Sequence, residues 1–232
     1  RPGIGDSSPG GAETVYDYAE TVRHLADHLG IDRFHVMGVS GGGPYTLACA
    51  ARFPHRVRGV GVCCGAPPLW LAKETQELHI MYRSLLAMDR GVPLLIDPLL
   101  HLFRSFFRIA PASVALKPLT TLLPWPDKEA LCRPENRRML HESIREAFRN
   151  GTEAIFRDAR RIQGPWGFAL ESIEPLVIFW HGNLDRNIPI EMARSLMIRR
   201  VPKAITHVYP GDGHYSLPMT RAGQFLEHLV LS

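Results

Sequence analysis

The stretch that most constrains this chain is Val36-Met37-Gly38-Val39-Ser40-Gly41-Gly42-Gly43, an apolar run that stops at a serine set among glycines. Phe34 to Val39 carries β-branched residues in a short apolar run, and Thr46 to Phe53 has the length and alanine content of a helix. Ser40 is therefore predicted at a strand-to-helix turn. Gly38-Val39-Ser40-Gly41-Gly42 fits the G-x-S-x-G pattern, in which a serine occupies a strained turn and glycines let the backbone reverse beside it. Alone, the pattern arises by chance in roughly one chain in ten of this length. The rival reading is a phosphate-cradling loop at a helix N-terminus, but neither G-x-G-x-x-G nor a G-K-[ST] ending is present.

The 232 residues, 45% hydrophobic and 22% charged, suit one soluble domain with one core. No stretch reads as a membrane span. Val92 to Ile109 is interrupted by Pro93, Asp97, Pro98, His101, Arg104 and Arg108, and reads as an amphipathic helix. The net charge of +4 comes with many arginines between Arg133 and Arg161 that lack aromatic interleaving, so a solvated helical face is expected and no nucleic-acid partner. Cys49, Cys63, Cys64 and Cys132 show no C-x-x-C spacing, which points to reduced thiols and a cytoplasmic location. His24 and His28 lie one helical turn apart without a third ligand nearby, and neither metal nor organic cofactor is implied. Arg1 to Gly11, rich in Gly, Pro, Ser and Asp, reads as a loop leading out of a strand, as though the chain began mid-domain.

In order, Ala12 to Leu29 places Val15, Tyr18, Val22, Leu25 and Leu29 on one helical face, and Val57 to Cys64 reads as a strand buried on both faces. From Leu69 to Ile162 the periodicity is helical throughout, with helices expected over Leu69 to Met88, Leu94 to Ile109 and Lys128 to Ile162. Turns are expected near Gly91-Val92-Pro93, Pro118, Pro124-Trp125-Pro126 and Gly151. Strand character returns at Leu176 to Trp180 and Ala204 to Tyr209, each with a following helix, Ile190 to Arg200 and Arg221 to Leu231. The predicted fold class is α/β, a mostly parallel sheet flanked by helices. Residues 1–66 and 166–232 form the two parts of the core, and an all-helical insertion spans 67–165.

Ligands of open parallel sheets bind outside the carboxyl ends of the strands. Ser40, Asp185 and His214 all fall at such ends, in the order serine, acid, histidine. Acyl transfer needs a nucleophile, a base within hydrogen-bond reach and a carboxylate to orient that base. His181 competes with His214 but lies on the acid's own strand, where bracing the loop is the simpler role. Asp212 sits only two residues from His214, and Asp158 lies in the insertion; Ser7 and Ser8 lack the glycine turn. His214 would titrate near 6.5 if unperturbed, and activity would fall as it protonates.

The chain resembles the α/β-hydrolase superfamily over essentially its whole length. Arg1-Pro2-Gly3-Ile4-Gly5-Asp6-Ser7 is similar to that family's R-P-G-x-G-x-S loop and Gly38 to Gly42 to its nucleophile elbow. His181-Gly182-Asn183-Leu184-Asp185 with Ile188-Pro189 resembles its acid loop, and Gly213-His214 its histidine loop. The resemblance implies a serine hydrolase of carboxylesterase type acting on a small to medium ester-like substrate, with Ser40, Asp185 and His214 as the triad and the N–H of Gly41 as one oxyanion donor. It also implies a second donor upstream of Arg1, and a lid formed by the insertion. Trp166, Trp70 and Phe103 are candidates for an apolar substrate pocket beneath that lid. Epoxide hydrolases and haloalkane dehalogenases of the same superfamily use aspartate where this chain has Ser40. Amidase, thioesterase, carbon–carbon hydrolase, perhydrolase and acyltransferase outcomes share the triad and stay open. So does a noncatalytic binding protein of the same fold.

Overall fold

A computed structural model describes residues 1–72 and 93–231 of the chain. Its centre is a four-stranded parallel sheet of β1 (Phe34–Val39), β2 (Val57–Cys63), β3 (Val177–Gly182) and β4 (Ala204–Tyr209), ordered β1-β2-β3-β4. The side chains of β3 alternate between two cores, as the two-residue period of a strand requires. Val177 and Phe179 enter the larger one, with Val60 and Val62 of β2 and the helices α1 (Val15–His28) and α2 (Gly43–Arg52). Ile178 and Trp180 enter the other, with Cys63 and with Leu217, Phe225 and Leu229 of the final helix. There the Trp180 ring stacks on Phe225 with centroids 4.7 Å apart. Gly59 and Gly61 of β2 turn toward this second layer, where an added Cβ would run into Leu229 and Trp180, so the valine-glycine alternation of Val57 to Val62 lets a helix and an indole lie close over the strand.

Between β2 and β3 the described residues are helical and contain no strand. The helices are α3 (Pro93–Ile109), α4 (Ala112–Ala115), α5 (Lys117–Leu122), α6 (Trp125–Cys132), α7 (Pro134–Ala147) and α8 (Glu153–Gln163). After β3 come α9 (Ile190–Leu196) and, beyond β4, α10 (Ser216–Leu231). No helix among the described residues is long and apolar enough to cross a membrane. Of the helix expected over Leu69 to Met88, Leu69–Leu71 form one 3₁₀ turn and most of the rest lies outside the described residues.

Three expectations are adjusted by the fold. The stretch expected to be helical from Lys128 to Ile162 is three helices: the turn expected near Gly151 is present, and a further break precedes Pro134, which interrupts the backbone ladder. The turns expected near Pro118 and Pro124-Trp125-Pro126 fall at Leu116 and at Leu123-Pro124, and Pro118 and Pro126 sit in the first turn of the helices that follow, where an N–H has no intrahelical acceptor to lose. The last helix begins at Ser216, five residues before Arg221. In α1 the buried line is Val15, Ala19 and Ala26, and Leu25 and Leu29 are each 59% exposed. Of the expected face, Val15 is buried and Tyr18 and Val22 pack against the larger core, whereas Leu25 lies about 80° around the helix from Val15.

The packing predicts a contrast between two apolar truncations. Phe179→Ala, in the central layer of the sheet, is expected to cost about 3–5 kcal/mol, and Leu25→Ala to stay within about 0.5 kcal/mol of the unsubstituted chain. Urea unfolding midpoints measure both, and equal midpoints for the two variants would refute the placement of the core.

Candidate active site

At the carboxyl end of β1 the chain turns through a 3₁₀ segment, Ser40–Gly42, directly into α2. Ser40 has φ +53°, a left-handed conformation that side-chain-bearing residues adopt at a cost of roughly 1–3 kcal/mol. Gly38 makes this reversal possible, since a Cβ there would overlap the Gly42 carbonyl and the Thr46 hydroxyl. Cys64, just past the end of the neighbouring β2, is also left-handed at φ +47°. The Ser40 carbonyl accepts from the N–H of Ala66 at 3.0 Å and the Cys64 N–H donates to Trp180 at 2.9 Å, which ties three strand ends into one rim.

The structure brings Ser40, Asp185 and His214 together. His214 Nε2 lies 3.0 Å from Ser40 Oγ, and Nδ1 lies 2.8 Å from Asp185 Oδ2. The second oxygen of Asp185 accepts from the N–H groups of Asn187 and Ile188 at 2.8 and 2.7 Å, which fixes the carboxylate plane. A carboxylate only accepts, so Nδ1 carries the imidazole proton and Nε2 is free to accept from the serine hydroxyl. The acid and histidine loops are laced to each other: Asn183 donates its N–H to Tyr209, Leu184 to Asp212, and Gly211 to the Asn183 side chain, over 2.9–3.1 Å.

Electrostatics favour an ionised acid beside a basic histidine. Burial would raise the Asp185 pKa, but the hydrogen bond and charge of His214 outweigh it and leave the carboxyl below its ordinary value. Burial likewise lowers His214, and here the hydrogen bond and charge of Asp185 prevail, so its pKa is raised above 6.5. The unperturbed value expected from sequence is therefore corrected upward. The Cys64 thiol, beside Cys63 and buried, is held well above its ordinary range. One ligand atom each from Cys64, Asp185 and His214 lies within 4.8 Å of the others, the one such group of metal-ligating side chains among the described residues. A neutral thiol and an imidazole already engaged on both nitrogens make it a poor cation site. His24 and His28, both exposed, belong to no such group.

The rivals fall elsewhere. His181 Nε2 donates to the Ile188 carbonyl at 2.7 Å and braces the acid loop, with its pKa lowered by burial. Asp212 pairs with Arg221 at 2.8 Å. Asp158 of α8 accepts from the Tyr45 hydroxyl at 2.5 Å and pairs with Arg1 at 2.7 Å, which joins the insertion to the helix behind Ser40. Gly41 sits in the first turn after the serine, beneath the Ile162 side chain of α8. Of the pocket candidates, Trp166 is 1% exposed and packs edge-on against Trp70 at 5.0 Å, with its N–H on the Ile162 carbonyl; it is a core residue at the return to the sheet. Phe103 lies apart, against Phe107 and Phe148 in the helical insertion. Sequence reasoning missed Asp127 of α6, which is fully buried against the histidine loop. Its one trace in the sequence is a carboxylate in the first turn of a proline-started helix, a pattern explained equally well by local helix capping.

Comparison with known proteins agrees with this fold. Residues 1–218 match the family described as alpha/beta hydrolase fold. The chain is 28% identical over 153 residues to "Uncharacterized hydrolase YcgS" of Bacillus subtilis (strain 168), an overlap that covers 64% of this chain and 48% of that protein. It thus spans about half the length of this relative. Among solved structures, "Crystal structure of bromoperoxidase from Bacillus anthracis" is similar at a TM-score of 0.67 and 19% identity, over 100% of this chain and 78% of that one. A thermophilic esterase from Thermogutta terrifontis is similar at 0.58 and 21%, over 99% and 75%. At such identities these likenesses are of fold alone, whereas the match along nearly the whole chain identifies the family: this protein belongs to the α/β hydrolases.

Proposed function

We propose that the chain is a serine hydrolase that cleaves a small to medium ester-like substrate through an acyl-enzyme on Ser40. The observation that carries this reading is the continuous hydrogen-bonded chain from Ser40 Oγ through His214 to Asp185. As Ser40 Oγ attacks the ester carbonyl, His214 Nε2 takes its proton and then delivers it to the leaving alcohol. Water, deprotonated by the same nitrogen, releases the acid and regenerates the serine. Asp185, held by its own loop, keeps the ring in the required tautomer and stabilises the imidazolium. The N–H of Gly41, in the first turn of the helix after the serine, is the proposed oxyanion donor. The insertion at 67–165 acts as the lid, consistent with the reach of Ile162 over Gly41. The esterase likeness and the shared fold support hydrolysis. Ser40, an alcohol where aspartate-dependent relatives need a carboxylate, favours an acyl over an alkyl intermediate.

A fluorophosphonate probe is expected to label the protein at Ser40, and Ser40→Ala to abolish the label; an unlabelled protein between pH 6 and 9 would overturn the assignment. Asp185→Asn is expected to lower kcat on p-nitrophenyl butyrate by about 10⁴-fold, the scale on which neutralising a triad carboxylate acts. A loss under tenfold would remove Asp185 from the mechanism.

The pH dependence follows from His214. The reactive form is the neutral imidazole, which exists above its pKa, and the pKa is raised above 6.5. The labelling rate should therefore rise with pH, with its midpoint above 6.5. A midpoint at or below that value would contradict the Asp185 contact as the dominant influence.

A further inference from the structure

Three successive N–H groups of the histidine loop converge on one carboxylate that comes from the helical insertion. Asp127 Oδ2 accepts from the N–H of His214 at 3.1 Å, and Oδ1 accepts from those of Tyr215 at 3.0 Å and Ser216 at 2.8 Å. The carboxylate has no exposed surface and lies 87 residues before His214 in the chain. Its backbone is set by α6, whose Ala130 and Leu131 are buried and which packs directly against α10. Burying such a group is costly unless its oxygens are filled, and the opening N–H groups of α10 would otherwise lack partners. Each side thus satisfies the other. The fit leaves no slack, because a Cβ on Gly213 would come within 2.5 Å of Asp127 Oδ1.

A helix start can be capped by its own flanking residues, and Ser216 does bond locally, its hydroxyl accepting from the Gly213 N–H at 2.7 Å. An acceptor drawn from the insertion does something a local cap cannot: the location of α6 and the location of the His214 backbone become one quantity. Asp185 orients the imidazole ring through Nδ1, but a ring swings with the Cα that carries it. From this geometry we propose that Asp127 is a positioning residue for His214, holding the backbone of the catalytic base through the lid so that Nε2 stays within reach of Ser40. The proposal rests on the assignment of Ser40 and His214 as nucleophile and base.

The test compares Asp127→Asn, Asp127→Ala and Gly213→Ala with the unsubstituted chain. Asn keeps the shape but turns one acceptor oxygen into an amide N–H₂ group facing N–H donors, and the added Cβ of Gly213→Ala displaces the same contact from the other side. Fluorophosphonate labelling rates and hydrolysis of p-nitrophenyl butyrate are measured per folded molecule, with thermal melts to count folded protein. Asp127→Asn and Gly213→Ala are expected to lower the labelling rate and kcat by about 10- to 100-fold, the scale of a misplaced catalytic group, with KM changed less than about twofold. Because Asp127→Asn keeps the side-chain shape and Gly213→Ala leaves Asp127 itself in place, these two decide the matter if Asp127→Ala does not fold. Unchanged rates per folded molecule in Asp127→Asn and Gly213→Ala would overturn the positioning role and reduce Asp127 to a stabilising contact. Failure of the unsubstituted chain to label would overturn the assignment of Ser40, and this proposal with it; the two failures are thus told apart by the unsubstituted chain.

Discussion

Parallel pairing is the constraint on which the rest of the molecule depends. When β1 to β4 run the same way in one sheet, their carboxyl ends share an edge, and the residues after each strand meet there however far apart they lie in sequence. Ser40 follows β1, Cys64 follows β2, Asp185 follows β3 and His214 follows β4. Two left-handed residues at adjacent strand ends, Ser40 and Cys64, show how abruptly the chain must leave the sheet to keep this edge open. The lacing of the acid and histidine loops then converts a shared edge into hydrogen-bond geometry.

The helical insertion is built into that edge by two buried carboxylates. Asp158 reaches Tyr45 and Arg1 behind the serine turn, and Asp127 reaches the backbone at His214. Both are fully engaged, as burial of a carboxylate demands. The site is therefore framed on the sheet side by loops that bond to one another, and on the other side by helices whose attachment is polar and directional. Apolar packing of Ala130, Leu131 and Ile162 seats these helices, and the two carboxylates add directional contacts to it.

How much of this was legible in the sequence depended on whether the signal was local. The serine turn was legible because only glycine fits at Gly38, and β2 and β3 because strands buried on both faces lose polar alternation. Asp185 was legible from its place at a strand end, and His181 as a brace from its place on the same strand. The α1 face was legible at Val15, Tyr18 and Val22 and drawn too wide at Leu25 and Leu29, because hydrophobic periodicity underweights small buried residues such as Ala19 and Ala26. Trp166 was assigned to a pocket by its size and position, and its burial against Trp70 came from a contact between segments far apart in the chain.

By itself, the sequence determined the α/β alternation, the turn that exposes Ser40 and the strand-end positions of the acid and the histidine, since each follows from residue types within about ten positions of one another. Only the tertiary structure decided that His214 is more basic than a free histidine, that Asp158 belongs to Tyr45 and Arg1, and that Asp127 sits beneath the histidine loop. The reason is physical. Burial, charge pairing and the filling of buried hydrogen-bond donors depend on which distant segments come within about 3 Å of each other, and that is fixed by the packing of α6 and α8 onto the sheet, not by any local pattern.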